Sequence, residues 1–153
     1  MHRIFGQFIG GRGAVGLLLL RLVMGSALML HGWPKIQHAT SWMGPEVPVP
    51  APFQFLAAFS EFFGGLAFLT GLLTPLAALG VAATMLTALI TVHFKSGDPF
   101  VSPHGPSYES ALGYLAVAMV MLLTGPGVFS LDYLLFRRWP QMAGTKRTPV
   151  AVR

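Results

Sequence analysis

Cysteine is absent from this 153-residue chain. That excludes disulfides, thiol redox chemistry, cysteine-ligated iron–sulfur clusters and covalently attached c-type haem. Any electron transfer would have to use a bound cofactor. Charge is nearly as scarce, at 10% Asp, Glu, Lys and Arg against about 25% in a soluble domain. Hydrophobic residues reach 54%, more apolar surface than one small soluble domain can hide. The solvent for this surface is lipid. The net charge is +5, but no basic stripe with interleaved aromatics runs along a folded face, so nucleic acid is not an expected partner. No cleavable signal peptide is expected either: the first apolar run is interrupted by Arg21 and has no clean small-x-small site before His31, so the N-terminus is expected to stay attached.

What remains is four apolar runs, residues 14–31, 53–73, 75–94 and 108–125. Each approaches the ~20 residues that cross ~30 Å of hydrocarbon. In lipid the backbone must satisfy its own hydrogen bonds, so the runs are predicted to be helices. The fold class is all-α, an integral membrane four-helix bundle. Three segments follow: an N-terminal stretch 1–13, the bundle 14–135 and a basic flexible tail 136–153. In "GLLTPL", Gly71 can end the second helix, Thr74 cap the third and Pro75 occupy its first position, which predicts a tight hairpin. Arg3, Arg12, Arg137, Arg138, Lys146, Arg147 and Arg153 flank the bundle, while the first and third loops hold Lys35 and Lys95. The positive-inside rule then places both termini in the cytoplasm of a bacterial or archaeal cell, across its plasma (inner) membrane. The first outer loop, "GWPKIQHATSWMGPEVPVPAP", holds five prolines and is predicted to be extended and semi-rigid. It is either a connector with Trp33 and Trp42 as interfacial anchors or a lid over a pocket. Spans one and three both end in His followed by Lys. Spans two and four carry Glu61 and Glu109 and finish in "LTG", a weak echo of two related hairpins.

Arg21, near the middle of the first span, requires a partner. Counting 1.5 Å per residue puts it ~15 Å below His31, and Glu61 ~12 Å below Phe53, so the two are predicted to pair across adjacent helices. An unpaired charge there costs at least ~2.5 kcal/mol, and a pair that merely fixes helix register is the alternative to a working site. His31 and Lys35 share a helix face if the helix survives Pro34. His93 ends the third span and Glu109 begins the fourth. Gly64 and Gly65 would let another helix approach closely. The expectation is a funnel, with His31, Lys35, His93 and Glu109 at the mouth and Arg21 and Glu61 at the floor. No metal site is expected, because the spacing of a four-ligand set is missing. His2, His38 and His104 are assigned solvated roles. Ser26, Ser60 and Ser110 have no acid–base partner at a telling spacing, and no nucleotide-binding loop exists.

The blocks "LLLRLVMGSALMLHGWPK", "EFFGGLAFLTGLLTPLAA", "TVHF", "YESALGYLAVA" and "GPGVFSLD", taken in this order, resemble the DoxX family over roughly residues 14 to 135. The resemblance implies a small four-helix membrane bundle. It maps the family's arginine, His-Gly-x-x-Lys, Glu-x-x-Gly-Gly, third-helix His and fourth-helix Glu onto Arg21, His31, Gly32, Lys35, Glu61, Gly64, Gly65, His93 and Glu109. It also implies a relation to the membrane subunit of a thiosulfate:quinone oxidoreductase. The loop "KSGDPFVSPHGPS" departs from the family's shorter Gly-rich approach to the fourth-helix Glu.

Two functions follow as expectations. In the first, the chain is a redox membrane subunit binding quinone in the funnel. His31, His93, Glu61 and Glu109 would handle hydrogen bonds and protons, Arg21, Lys35, Gly64 and Gly65 would form the binding site, and a redox partner protein or reducing small molecule would supply electrons. In the second, the chain is a non-enzymatic scaffold or a carrier of a small anion or lipid-like molecule. Four unbroken spans are few for alternating access unless the protein forms a homo-oligomer.

Overall fold

The computed structural model describes residues 8–45 and 49–136. The predicted basic tail beyond Phe136, the first seven residues and Glu46 lie outside them. Four long helices form the bundle: α1 (Gly11–Gln37), α2 (Ala51–Thr70), α3 (Thr74–Ser96) and α4 (Glu109–Thr124). A short α5 (Leu131–Phe136) follows. By length and composition α1, α2 and α3 can each cross a membrane, and α4 is a shorter apolar helix of 16 residues. The exterior identifies the solvent. Leu123 is 81% exposed and Leu30 75%, and large apolar side chains cover the outside of every long helix, which a monomeric soluble protein does not tolerate. This is a helical membrane bundle.

The interior is built from small and polar residues. On α1 the buried stripe runs Ala14, Leu17, Arg21, Gly25, Leu28 and Gly32, steps of three and four that keep one face inward. A β-carbon on Gly25 would stand 2.8 Å from the carbonyl oxygen of Gly65, and one on Gly65 would stand 2.7 Å from the Gly25 oxygen. Backbone therefore meets backbone between α1 and α2, the most extensively packed pair. Gly64 faces the other way, where Val81 of α3 lies against its α-carbon. The close approach expected at Gly64 and Gly65 is thus used twice, once toward each neighbouring helix.

At the hairpin end, Gly71 takes the left-handed conformation (φ 67°) and its N–H donates to the Ala67 carbonyl. The predicted tight turn is there, but its cap is not Thr74. Leu73 is left-handed (φ 50°), a cost for a residue with a side chain. Asp132 of α5 accepts both the Leu73 N–H (2.7 Å) and the Thr74 N–H (2.8 Å). The helix start is capped from 58 residues away, and the Thr74 hydroxyl is left without a partner among the described residues. Ser130 in turn caps α5, accepting the Tyr133 N–H.

At the opposite, loop end, α1 continues through Pro34 to Gln37, about two turns past the predicted boundary. Pro52 sits in the first turn of α2, where a missing N–H costs nothing. Within α3, Leu89–His93 is a π-helical turn, a local expansion often found near functional residues.

Candidate functional site

Helix α1 running past Pro34 changes which residues meet. Gly32, rather than a residue nearer mid-helix, faces Glu61 and Phe62: a β-carbon there would lie 2.7 Å from the Phe62 nitrogen and 3.0 Å from the Glu61 β-carbon. That contact brings α2 close enough for Lys35, three residues on, to reach across. Lys35 Nζ donates to both carboxylate oxygens of Glu61, at 2.7 Å to Oε1 and 2.6 Å to Oε2. The Glu61 side chain is 4% exposed and that of Lys35 18%. Gly32 and Lys35 therefore act as one device, the first admitting the helix and the second holding its carboxylate.

The first loop closes over this pair. Lys35 Nζ stands 4.6 Å from the Trp42 ring centroid, a cation–π contact. The Trp42 indole N–H donates to the Gln54 carbonyl at 3.0 Å. The Met43 N–H donates to Gln54 Oε1 at 3.1 Å, and Gln54 Nε2 donates to the Val49 carbonyl at 2.8 Å. Gln54 is buried and ties the loop to the first turn of α2 from both sides. Sequence reasoning passed over it, although a lone amide in an apolar run was the available signal. His31, one turn before Lys35 on α1, lies within electrostatic reach of both Lys35 and Glu61. Its ring centroid is 6.1 Å from that of Tyr114 on α4, another residue the sequence reading missed.

Arg21 is elsewhere. The predicted Arg21–Glu61 pair does not form, because the counting aligned His31 with Phe53 as matching helix ends. With α1 extended two turns, the level of Arg21 is that of Phe68 to Gly71. Its Nε–H donates to the Phe68 carbonyl (2.7 Å), Nη1 to the carbonyls of Pro126 (2.9 Å) and Phe129 (2.8 Å), and Nη2 to that of Leu69 (3.2 Å). The side chain is 1% exposed, with Asp132 in electrostatic reach. It ties the C-terminal end of α2, where carbonyls lack helical donors, to the segment between α4 and α5.

His93 and Glu109 come out at the loop end, as the topology requires, but neither contacts the Lys35–Glu61 pair. His93 Nδ1 lies 2.8 Å from Asp98 Oδ2, and its carbonyl accepts the Asp98 N–H at 3.0 Å. This clamp secures the departure from α3. Glu109 is exposed at the first turn of α4, where a negative charge complements the helix N-terminus. Among the described residues, no three His, Asp or Glu side chains gather as a metal-ligand set.

The model of the DoxX family matches residues 16–94, more than half of the chain. Inner membrane protein YqjF of Escherichia coli (strain K12) is 33% identical over 132 residues, spanning 82% of this chain and 95% of its own. A Bacillus subtilis (strain 168) protein named "Putative oxidoreductase CatD" is 29% identical over 125 residues, 80% of this chain and 89% of its own. Inner membrane protein YphA of Escherichia coli (strain K12) is 28% identical over 130 residues, 80% of this chain and 92% of its own. No solved structure matches the chain significantly.

Proposed function

The chain belongs to the DoxX family, and from that premise we propose that it is the membrane subunit of an oxidoreductase system that holds a quinone head at the loop end of the bundle. The observation carrying this reading is the Lys35–Glu61 pair, buried between α1 and α2 and roofed by Trp42. A pair that only set helix register would need no aromatic roof and no loop stitched over it. The donor set suits a quinone: a cation and an imidazole one turn apart on α1, beside apolar walls that suit an isoprenoid tail. The name of one relative, "Putative oxidoreductase CatD", points the same way.

A bound quinone would supply two-electron acceptor chemistry. The chain's own groups do the rest. Lys35 keeps a positive charge beside the head, and Glu61 fixes where that charge sits. His31, whose residue type gains and loses a proton near neutral pH, passes protons between the head and the carboxylate. His93 and Glu109 stand at the same end and serve as proton entry groups from the aqueous side. With no electron carrier of its own, the chain works with a redox partner protein or a reducing small molecule. An anion carrier is the less favoured reading, because Glu61 already neutralises Lys35, the cation such a carrier would offer.

The test is extraction in mild detergent and assay of co-purified quinone. Near-stoichiometric quinone is expected in the native chain, and its loss in Glu61→Gln with the protein still in the membrane. A quinone-free preparation that retains a protein partner would replace this reading with the scaffold.

We also propose that both termini face the cytoplasm and the loop end faces outward. Seven basic residues lie toward the two termini, against two, Lys35 and Lys95, in the helix ends at the loop side. A reporter fused at the C-terminus is expected to be active in its cytoplasmic form; activity only in the exported form would reverse the orientation.

A further inference from the structure

The end of the bundle opposite the candidate site is organised around α5, whose residues divide by face. On one side Asp132 is buried and Tyr133 and Phe136 are half-buried; on the other Leu131, Leu134 and Leu135, three and four apart, are exposed. The inner side is stitched down. Asp132 holds the start of α3, and the Tyr133 ring meets that of Phe8 edge-on at 5.2 Å. The outer side has no such partner and has apolar company, since Phe129 just before the helix and Leu73 at the turn that Asp132 caps are exposed too. Charge at this end has one sign. Of the chain's five acidic residues, Glu46, Glu61, Asp98 and Glu109 belong to the loop end by chain position, and Asp132 is buried with both oxygens taken by backbone N–H groups. The Val128 N–H donates to the Ile9 carbonyl at 3.1 Å, so α1 begins here, with Arg12 exposed in its first turn. Among the described residues no carboxylate pairs with Arg12. Arg137 and Arg138 follow Phe136 directly, and a chain step of ~3.8 Å keeps both within ~8 Å of it, α-carbon to α-carbon.

We infer that α5 is an interfacial anchor and that its partner is a phospholipid with a net negative headgroup. Leu131, Leu134 and Leu135 enter the acyl chains just beneath the headgroup layer, and Arg12, Arg137 and Arg138 meet the headgroup charge. An apolar helix face beside basic residues binds such a surface through both terms at once, burial and attraction to anionic lipid. The place in the fold favours lipid over protein. α5 follows the end of α4 at Thr124 and caps the start of α3 at Thr74, so it lies at the level where spanning helices leave the hydrocarbon. An acidic protein would offer the charge but no apolar phase for the three leucines. The anchor also bears on the fold, because Asp132 on the inner side holds α3 and stands within electrostatic reach of Arg21. Anionic lipid on the outer side therefore steadies the knot that joins α1, α2 and α3. Neither the surface nor its charge depends on the quinone reading.

The experiment places the full chain in nanodiscs of equal phosphatidylcholine and phosphatidylglycerol and counts, by native mass spectrometry, the lipids it keeps on release. One basic residue near an anionic surface is worth about fivefold, so the native chain is expected to prefer phosphatidylglycerol about tenfold or more. Arg137→Gln with Arg138→Gln should remove most of that preference, whereas Arg137→Lys with Arg138→Lys, which keeps the charge, should keep it. Leu134→Ser with Leu135→Ser should lower retention of phosphatidylglycerol severalfold. In nanodiscs of phosphatidylglycerol alone the native chain should also unfold about 5 °C higher than in phosphatidylcholine, with the shift reduced at about 0.5 M salt. Equal retention of the two lipids by the native chain would overturn the assignment. So would a preference that the glutamine variant leaves intact, which would put the anionic lipid elsewhere on the chain, or one that the lysine variant loses, which would make the arginines packing residues. Full retention in the serine variant would take α5 out of the lipid layer and overturn it as well.

Discussion

Arg21→Leu is expected to remove most of the folded protein from the membrane. The side chain is 1% exposed and gives hydrogen bonds to four carbonyls on two separate segments, Phe68 and Leu69 at the end of α2 and Pro126 and Phe129 beyond α4. A bond from a charged donor contributes ~1.5–3 kcal/mol, and a buried acceptor left bare costs a similar amount. These terms do not add fully, but a loss of at least roughly 4 kcal/mol follows, a large part of the ~5–15 kcal/mol that holds a domain folded. Arg21→Lys should rescue only in part. An ammonium is a point donor and cannot span both segments as the planar guanidinium does. In Arg21→Leu, Asp132 would also lose the nearby charge that balances it. Thermal unfolding in detergent measures the effect, and a variant within about 1 kcal/mol of the native chain would remove Arg21 from this role. Combined with Glu61→Gln the losses should simply add, because the two residues lie at opposite ends of the bundle and share no partner.

That additivity marks where the sequence was legible and where it was not. The helices were readable because a bilayer forces apolar runs into helices, and composition alone named the solvent. The hairpin was readable from Gly71 and Pro75, whose local preferences act over a few residues. The partner of Arg21 was not. Relative depth depends on where each helix ends, and Pro34 was given weight as a breaker although the first helix runs through it to Gln37. An error of two turns reassigned Glu61 from Arg21 to Lys35. The Asp132 cap was hidden for a different reason: its two N–H partners are 58 and 59 residues away, and no local pattern encodes such a contact. Within the candidate site, His31, Lys35 and Glu61 were found because ionisable groups in an apolar run stand out. Gln54 and Tyr114 were missed because a neutral amide and a phenol do not. The close approach at Gly64 and Gly65 was legible, but which helix each glycine admits was not.

The second large effect is expected at Lys35 and Glu61, and it separates structure from function at the same site. Lys35→Met leaves a 4%-exposed carboxylate without its cation, and Glu61→Leu leaves an ammonium facing apolar neighbours and the Trp42 ring. Each should lower stability by about 2–4 kcal/mol, because breaking a buried pair costs more than the pair itself contributes. The double variant, Lys35→Met with Glu61→Leu, removes both charges together and should recover about 1–3 kcal/mol relative to the sum. Strict additivity in thermal unfolding would mean that the pair is not coupled and that the contact is incidental. If coupling is found, the double variant becomes the decisive sample. It folds without either charge, so a pair serving only helix register would leave quinone retention intact. Under the proposed function the folded double variant instead loses quinone, because the cation beside the head and the carboxylate that fixes it are both gone. A stable, quinone-retaining double variant would leave Lys35–Glu61 as architecture and overturn the assignment of the quinone head to this pair.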